Sequence, residues 1–177
     1  MRVTTSLAAL AALAGLSANT ARAATPCVTT PEATAIAQVA LPEVLRQVGQ
    51  ICAAQVPSSS LLRQPGGAFV ARYQAEADRA WPAARAALGR VAGPDVAPLL
   101  QSDFTRPMLV SLLAPALVDI VQPGDCREVD RIVALAQPLP PANAAGLIVA
   151  TLKLTRDKQA QFGNQTLDIP ICRDDRR

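Results

Sequence analysis

Four cysteines, Cys27, Cys52, Cys126 and Cys172, are the most reactive side chains in this sequence. None has the Cys-x-x-Cys spacing that redox and zinc sites use, so a structural role as two disulfides is expected. The 177 residues contain no histidine. That absence excludes Ser-His-Asp and Cys-His catalysis, His-ligated zinc and imidazole-based pH sensing. The remaining candidates are hydroxyls and carboxylates. Ser58-Ser59-Ser60 makes no serine–lysine motif, since Lys153 and Lys158 are the only lysines, and reads as a turn or a cap for Leu61-Leu62. Asp125, Glu128 and Asp130 form the densest group of acids, but the glycine and spacing of a calcium loop are missing. Gly66-Gly67 lacks the other features of a phosphate loop.

No catalytic, cofactor-binding or metal-binding residues are therefore assigned, and no cofactor is expected. One polar strip stands out. Ser111, Pro115 and Asp119 recur every four residues within an otherwise apolar stretch. They can line a pocket, with Asp119 as an acid or ligand contact. Alternatively they face solvent, or Asp119 pairs with Arg127 or Arg131. Tyr73 and Trp81, each the only residue of its type, read as core or core-edge rings.

The beginning of the chain suggests where these groups act. Arg2, the ten-residue apolar run Leu7–Leu16 and the small-residue ending Ala21-Arg22-Ala23 have the layout of a secretory signal peptide over residues 1–23. Ten apolar residues are too few to cross a bilayer, which takes about 20. A periplasmic or secreted location is expected for residues 24–177, read as a single helical domain, with no integral membrane segment once the signal is removed. Oxidising conditions there favour disulfides. Ten residues, Pro26 among them, come between the apolar run and Cys27 and argue against a lipid anchor.

Composition points to helices. Half of the residues are apolar but only 3% are aromatic, so alanine, the best helix former, dominates. Without Arg2 and Arg22, 15 of the 17 basic residues face 14 acidic ones, a net charge of +1. The basic residues are scattered, and no nucleic-acid partner is expected.

Thr29-Thr30-Pro31-Glu32 is a helix start, and small or apolar residues then keep a 3.6-residue rhythm from Ala33 to Cys52, through Pro42. One kinked helix over about 31–54 is predicted. A second covers about 67–91, with Phe69, Tyr73, Ala77, Ala80, Ala84, Leu88 and Val91 as its buried stripe, and Arg72, Glu76 and Arg79 on another face. A short turn is expected within Asp95–Gln101. Pro107–Val121 is apolar on nearly every side and is expected to be the central helix, surrounded by the others. Asp125 and Glu128 have capping-box spacing for a fourth helix facing inward through Val129, Ile132, Val133 and Ala136. Pro138–Pro141 reads as extended. Asn143 caps a last helix over about 143–157, with Leu147, Ile148, Leu152 and Leu154 available for burial; a strand over 149–154 is the alternative. From Phe162 to Cys172 the alternation of Leu167, Ile169 and Ile171 suggests an extended tail.

Topology selects the disulfides. In an up-and-down arrangement Cys52 ends the first helix at the end of the bundle where Cys126 begins the fourth. Cys27 lies at the other end, and the roughly 14 residues after the last helix span on the order of 45 Å, enough to bring Cys172 back to it. Cys52–Cys126 and Cys27–Cys172 are predicted. A Cys27–Cys52 bond conflicts with a helix of about 24 residues, which holds its ends about 36 Å apart. The expected fold class is all-α: an irregular up-and-down bundle of about five helices with a disulfide-pinned, extended C-terminal tail. The expected function is a non-enzymatic binding or structural role, with an unknown protein or a small hydrophobic ligand as partner. The alternative is a histidine-free, carboxylate-dependent hydrolase or lyase.

Overall fold

Glu32 anchors the first helix as its position suggests. Its carboxylate reaches back to accept hydrogen bonds from the Thr29 backbone N–H and the Thr29 hydroxyl, both at 2.8 Å. In the computed structural model, which describes residues 26–96, 98–162, 171 and 172, helix α1 runs over Thr30–Cys52 without a break at Pro42. The expected signal segment and the tail residues 163–170 lie outside the described residues. Four further helices follow: α2 (Ala68–Ala92), α3 (Thr105–Val118), α4 (Cys126–Ala136) and α5 (Pro141–Phe162). Short 3₁₀ turns at Leu61–Arg63, Leu99–Gln101 and Pro123–Asp125 connect them. Among the described residues the only strand-like pairing is an isolated parallel bridge between Val28 and Ile171. Residues 149–154 are helical.

The centre of the bundle is α1, not the Pro107–Val121 stretch. α2, α3 and α5 all pack on α1, which buries residues on several sides, including Ala35, Gln38, Val39, Leu41 and Val48. On α3 the buried residues are Ala114 and Val118, while Met108 and Leu112 lie exposed. The reason is steric. Alanines and Gly49 let neighbouring backbones approach α1 from several directions. A helix that is apolar all round carries no directional signal, so its hydrophobicity could not distinguish a centre from an uncovered side. Gly49 shows how close the approach is: a Cβ there would lie 2.2 Å from the Leu62 carbonyl oxygen.

α2 runs antiparallel to α1. Its first turns, Phe69 and Tyr73, join the core around Cys52, and Arg90 near its end binds Cys27 and Glu32 at the start of α1. Its expected stripe is buried except that Ala87 replaces the half-buried Leu88 and Val91. Gly93, at φ +87°, ends it in a conformation L side chains rarely adopt. Ser60 caps the Leu61–Arg63 turn by accepting the Leu62 N–H at 3.1 Å.

Three local expectations are corrected. Asp125 does not box with Glu128; it closes the preceding 3₁₀ turn by accepting the Gln122 N–H at 2.9 Å. Asn143 lies inside the first turn of α5, where its N–H bonds the Pro140 carbonyl, and residues 137–139 form a turn rather than an extended run. In α5 the buried residues among those described are Ala145 and Val149, while Leu147, Leu152 and Leu154 are exposed, as are Ile132 and Leu135 on α4. Small residues face the neighbouring helix because they allow the closest packing.

Both disulfides form as expected. Cys52–Cys126 and Cys27–Cys172 have Cα–Cα distances of 5.3 and 5.0 Å. Cys52 and Cys126 are fully buried, at the heart of a core that includes Val48, Val56, Leu62, Phe69 and Val133. Among the described residues, no helix is long and apolar enough to cross a membrane.

Candidate functional site

A groove lies where α3 and α5 both rest on α1. Its floor is Ala33, Ile36, Ala37 and Ala40, one face of α1 at helical spacing. Leu113 and Leu117 of α3 form one wall, Ile148, Val149 and Leu152 of α5 the other, and Ile171 closes one end. The alanine methyl groups are too short to fill the space between the walls, leaving a cavity of about 70 Å³. Every lining residue among those described is aliphatic. Such a site offers water no hydrogen bonds, and a dry cavity of about 150 Å³ is known to take a benzene ring.

The closed end is bound together by polar groups. The Cys172 N–H donates to the Val28 carbonyl at 2.8 Å, beside the Cys27–Cys172 bridge. Arg156 donates to the Ile171 carbonyl at 3.2 Å, and Lys153 Nζ donates to the Thr30 hydroxyl at 2.9 Å. Arg90 donates to the Cys27 carbonyl at 2.9 Å and forms an ion pair with Glu32. The Thr29 backbone N–H, then Arg90 and the Thr29 hydroxyl, hold the Glu32 carboxyl below the usual carboxylate range.

The structure separates the polar strip from this groove. Ser111 is exposed, and its hydroxyl donates to the Met108 carbonyl at 2.8 Å. Asp119 is exposed at the end of α3 and, among the described residues, has no ion pair with Arg127 or Arg131. Neither residue lines the groove. Tyr73 is buried against Phe69 with ring centroids 5.0 Å apart, and burial pushes its phenol pKa up. Trp81 is half-buried against the cluster of Ala35, Val39, Ala80 and Ala84, on which Ile36 and Val110 also pack.

Several other acids are engaged by cations or hydroxyls. Glu43 pairs with Arg46 on the same helix, Glu76 with Arg79, and Asp78 with Arg106 at 2.6 Å. Asp130 accepts from Ser60 at 2.5 Å. No group of three or more His, Cys, Asp or Glu that could hold a metal ion occurs among the described residues. Two wider, open clefts of about 420 and 440 Å³ lie around Arg46 and Pro65 on another side of α1.

Two arginines were not identified as organising residues from the sequence. Arg90 ties α2 to the bridge at the chain ends. Arg72, expected on the polar face with Glu76, instead places its guanidinium over the Phe69 and Tyr73 rings and donates to the Gln137 carbonyl. Both act across more than 50 residues of sequence, where helical spacing gives no signal. The groove had a partial signal: Ala33, Ala37 and Ala40 belonged to the expected inward face of the first helix. Comparison of the chain with protein-family models, curated proteins and solved structures finds no match.

Proposed function

We propose that this chain is an exported, non-enzymatic binding protein whose groove between α1, α3 and α5 receives a small hydrophobic ligand or the apolar group of a larger partner. The observation that carries this reading is a groove with an alanine floor whose described lining residues are all aliphatic. Residues 1–23, as a signal peptide, would direct residues 24–177 to the periplasm or the exterior as one helical domain, and two disulfides suit that environment. No carboxylate is among the described residues that line the groove, which does not favour the hydrolase or lyase reading.

The test is titration of the oxidised protein with a series of short straight-chain alcohols, followed through Trp81, which packs on the same buried cluster as the groove residue Ile36. Each added methylene that enters the groove strengthens binding about fourfold, from about 0.8 kcal/mol per buried CH₂. Ala37→Leu fills the floor and is expected to abolish the chain-length dependence while the helical circular dichroism is kept. Equal binding by Ala37→Leu, or no saturable binding by the wild type, refutes the proposal.

A further inference from the structure

The Cys27–Cys172 bridge stands at the closed end of the groove and holds part of its lining in place. Among the described lining residues, Ile171 alone comes from outside the helices. It packs against the cluster of Val28, Ala33 and Val149. Three attachments keep this piece of backbone there. Arg156 donates to the Ile171 carbonyl at 3.2 Å, the Cys172 N–H donates to the Val28 carbonyl at 2.8 Å, and the sulfurs are bonded to one another. The pairing of Val28 with Ile171 is an isolated bridge, and even a full two-stranded pairing is at best marginal in water. Fixing the backbone of Ile171 and Cys172 costs about as much as two hydrogen bonds and one half-buried side chain return. The covalent bond therefore decides whether Ile171 stays in the groove.

The two bridges differ in what a reductant can reach and in what their loss disturbs. Cys52 and Cys126 are fully buried inside the core, whereas Cys27 and Cys172 are half-buried. Without the outer bond, α2, α3 and α5 still pack on α1, the inner bridge still joins α1 to α4, and Arg90 still pairs with Glu32. The bundle survives while one end of the groove loses its wall.

We propose that the Cys27–Cys172 bond is a redox latch, whose reduction by a dithiol releases Ile171 and opens that end of the groove to a longer apolar chain. The ligand in this proposal rests on the groove reading; the release of Ile171 does not. One thiolate of the reductant attacks a sulfur of the bridge and forms a mixed disulfide, and the displaced cysteine thiolate takes up a proton. The second thiol of the reductant then displaces the other cysteine. Two electrons pass to the bridge, which becomes two thiols, and the dithiol departs as a disulfide.

The experiment uses methyl-labelled protein, oxidised or treated with limiting dithiol until peptide mapping shows Cys27 and Cys172 reduced and Cys52–Cys126 intact. Methyl NOEs from Ile171 to the Val28, Ala33 and Val149 cluster are expected in the oxidised protein. They are expected to be lost on reduction and in Cys27→Ser with Cys172→Ser. Straight-chain alcohols report the opening. In the oxidised wild type the gain of about fourfold per methylene stops at a cut-off length. After reduction it continues for at least two more methylenes, so alcohols beyond the cut-off bind at least tenfold tighter. Ile171→Ala, with both bridges kept, is expected to give the same extension. NOEs that persist after reduction overturn the proposal, as does an unchanged cut-off once they are lost. Loss of helical circular dichroism on reduction of the outer bond alone also overturns it, since that bond would then hold the bundle together. If no form binds alcohols although the NOEs are lost, the groove reading fails and the release of Ile171 stands.

Discussion

Replacing glycine by alanine at two helical positions should move stability in opposite directions. Inside a helix alanine is favoured over glycine by about 0.5–1 kcal/mol, because glycine loses more backbone freedom on folding. Gly146, in α5, has nothing within 4 Å of an added Cβ, so Gly146→Ala is expected to realise that gain. Gly49, in α1, is different. The new methyl would lie 2.2 Å from the Leu62 oxygen, and backbone must retreat before the separation reaches even 3.0 Å. The Leu61–Arg63 turn resists that movement. Leu62 is buried beside the Cys52–Cys126 bridge, and Ser60, which caps the turn, is bonded to Asp130 of α4. Overpacking of this kind costs about 1–3 kcal/mol, which leaves Gly49→Ala destabilised by up to about 2.5 kcal/mol after the helix gain. Urea denaturation with both disulfides intact, followed by circular dichroism, measures the two changes as shifts in midpoint at constant slope. If both variants are stabilised alike, the close approach of α1 to the Leu61–Arg63 turn is wrong, and with it the steric reason for the central position of α1.

Two further outcomes follow from the polar and sulfur chemistry. Folding lowers the Glu32 pKa, so this carboxylate contributes stability above its unfolded pKa and loses the contribution as pH falls through the lower folded value. The difference in stability between wild type and Glu32→Gln is therefore expected to be largest at neutral pH, below about 1 kcal/mol because the group is partly solvated, and to vanish in acid; a gap that widens on acidification refutes this. Under limiting dithiol, alkylation and peptide mapping should label the half-buried Cys27 and Cys172 before the fully buried Cys52 and Cys126. The reverse order contradicts the placement of the two bridges.

Much of this architecture was legible because helical periodicity and chain topology are strong constraints. The rhythm of Ala33 to Cys52 persists through Pro42, and a helix of that length can pair its cysteines only with distant ones. The placement of the helices was less legible. Pro107–Val121 is apolar all round, so its hydrophobicity could not reveal which side would remain uncovered, whereas the small residues of α1 admit neighbours from several directions. The same competition buries Ala145 and Val149 in α5 and leaves Leu147 and Leu154 outside. Caps failed where two acceptable choices were adjacent: Asp125 closes the turn before α4, and Pro140 displaces Asn143 at the start of α5. The groove was legible only as a row of alanines, because the empty space depends on where two other helices come to rest.

The two bridges are nested, Cys52–Cys126 within Cys27–Cys172, so the outer one joins the first of the four cysteines to the last. Synthesis delivers Cys27 and Cys52 first, with their true partners still to come. Oxidation in order of appearance would weld the wrong pair. Once coiled, the 23 residues of α1 act as a strut of about 35 Å between those two thiols. The helix that later organises the fold thus also guards against a premature cross-link, and the outer bond must wait until Cys172 has been made.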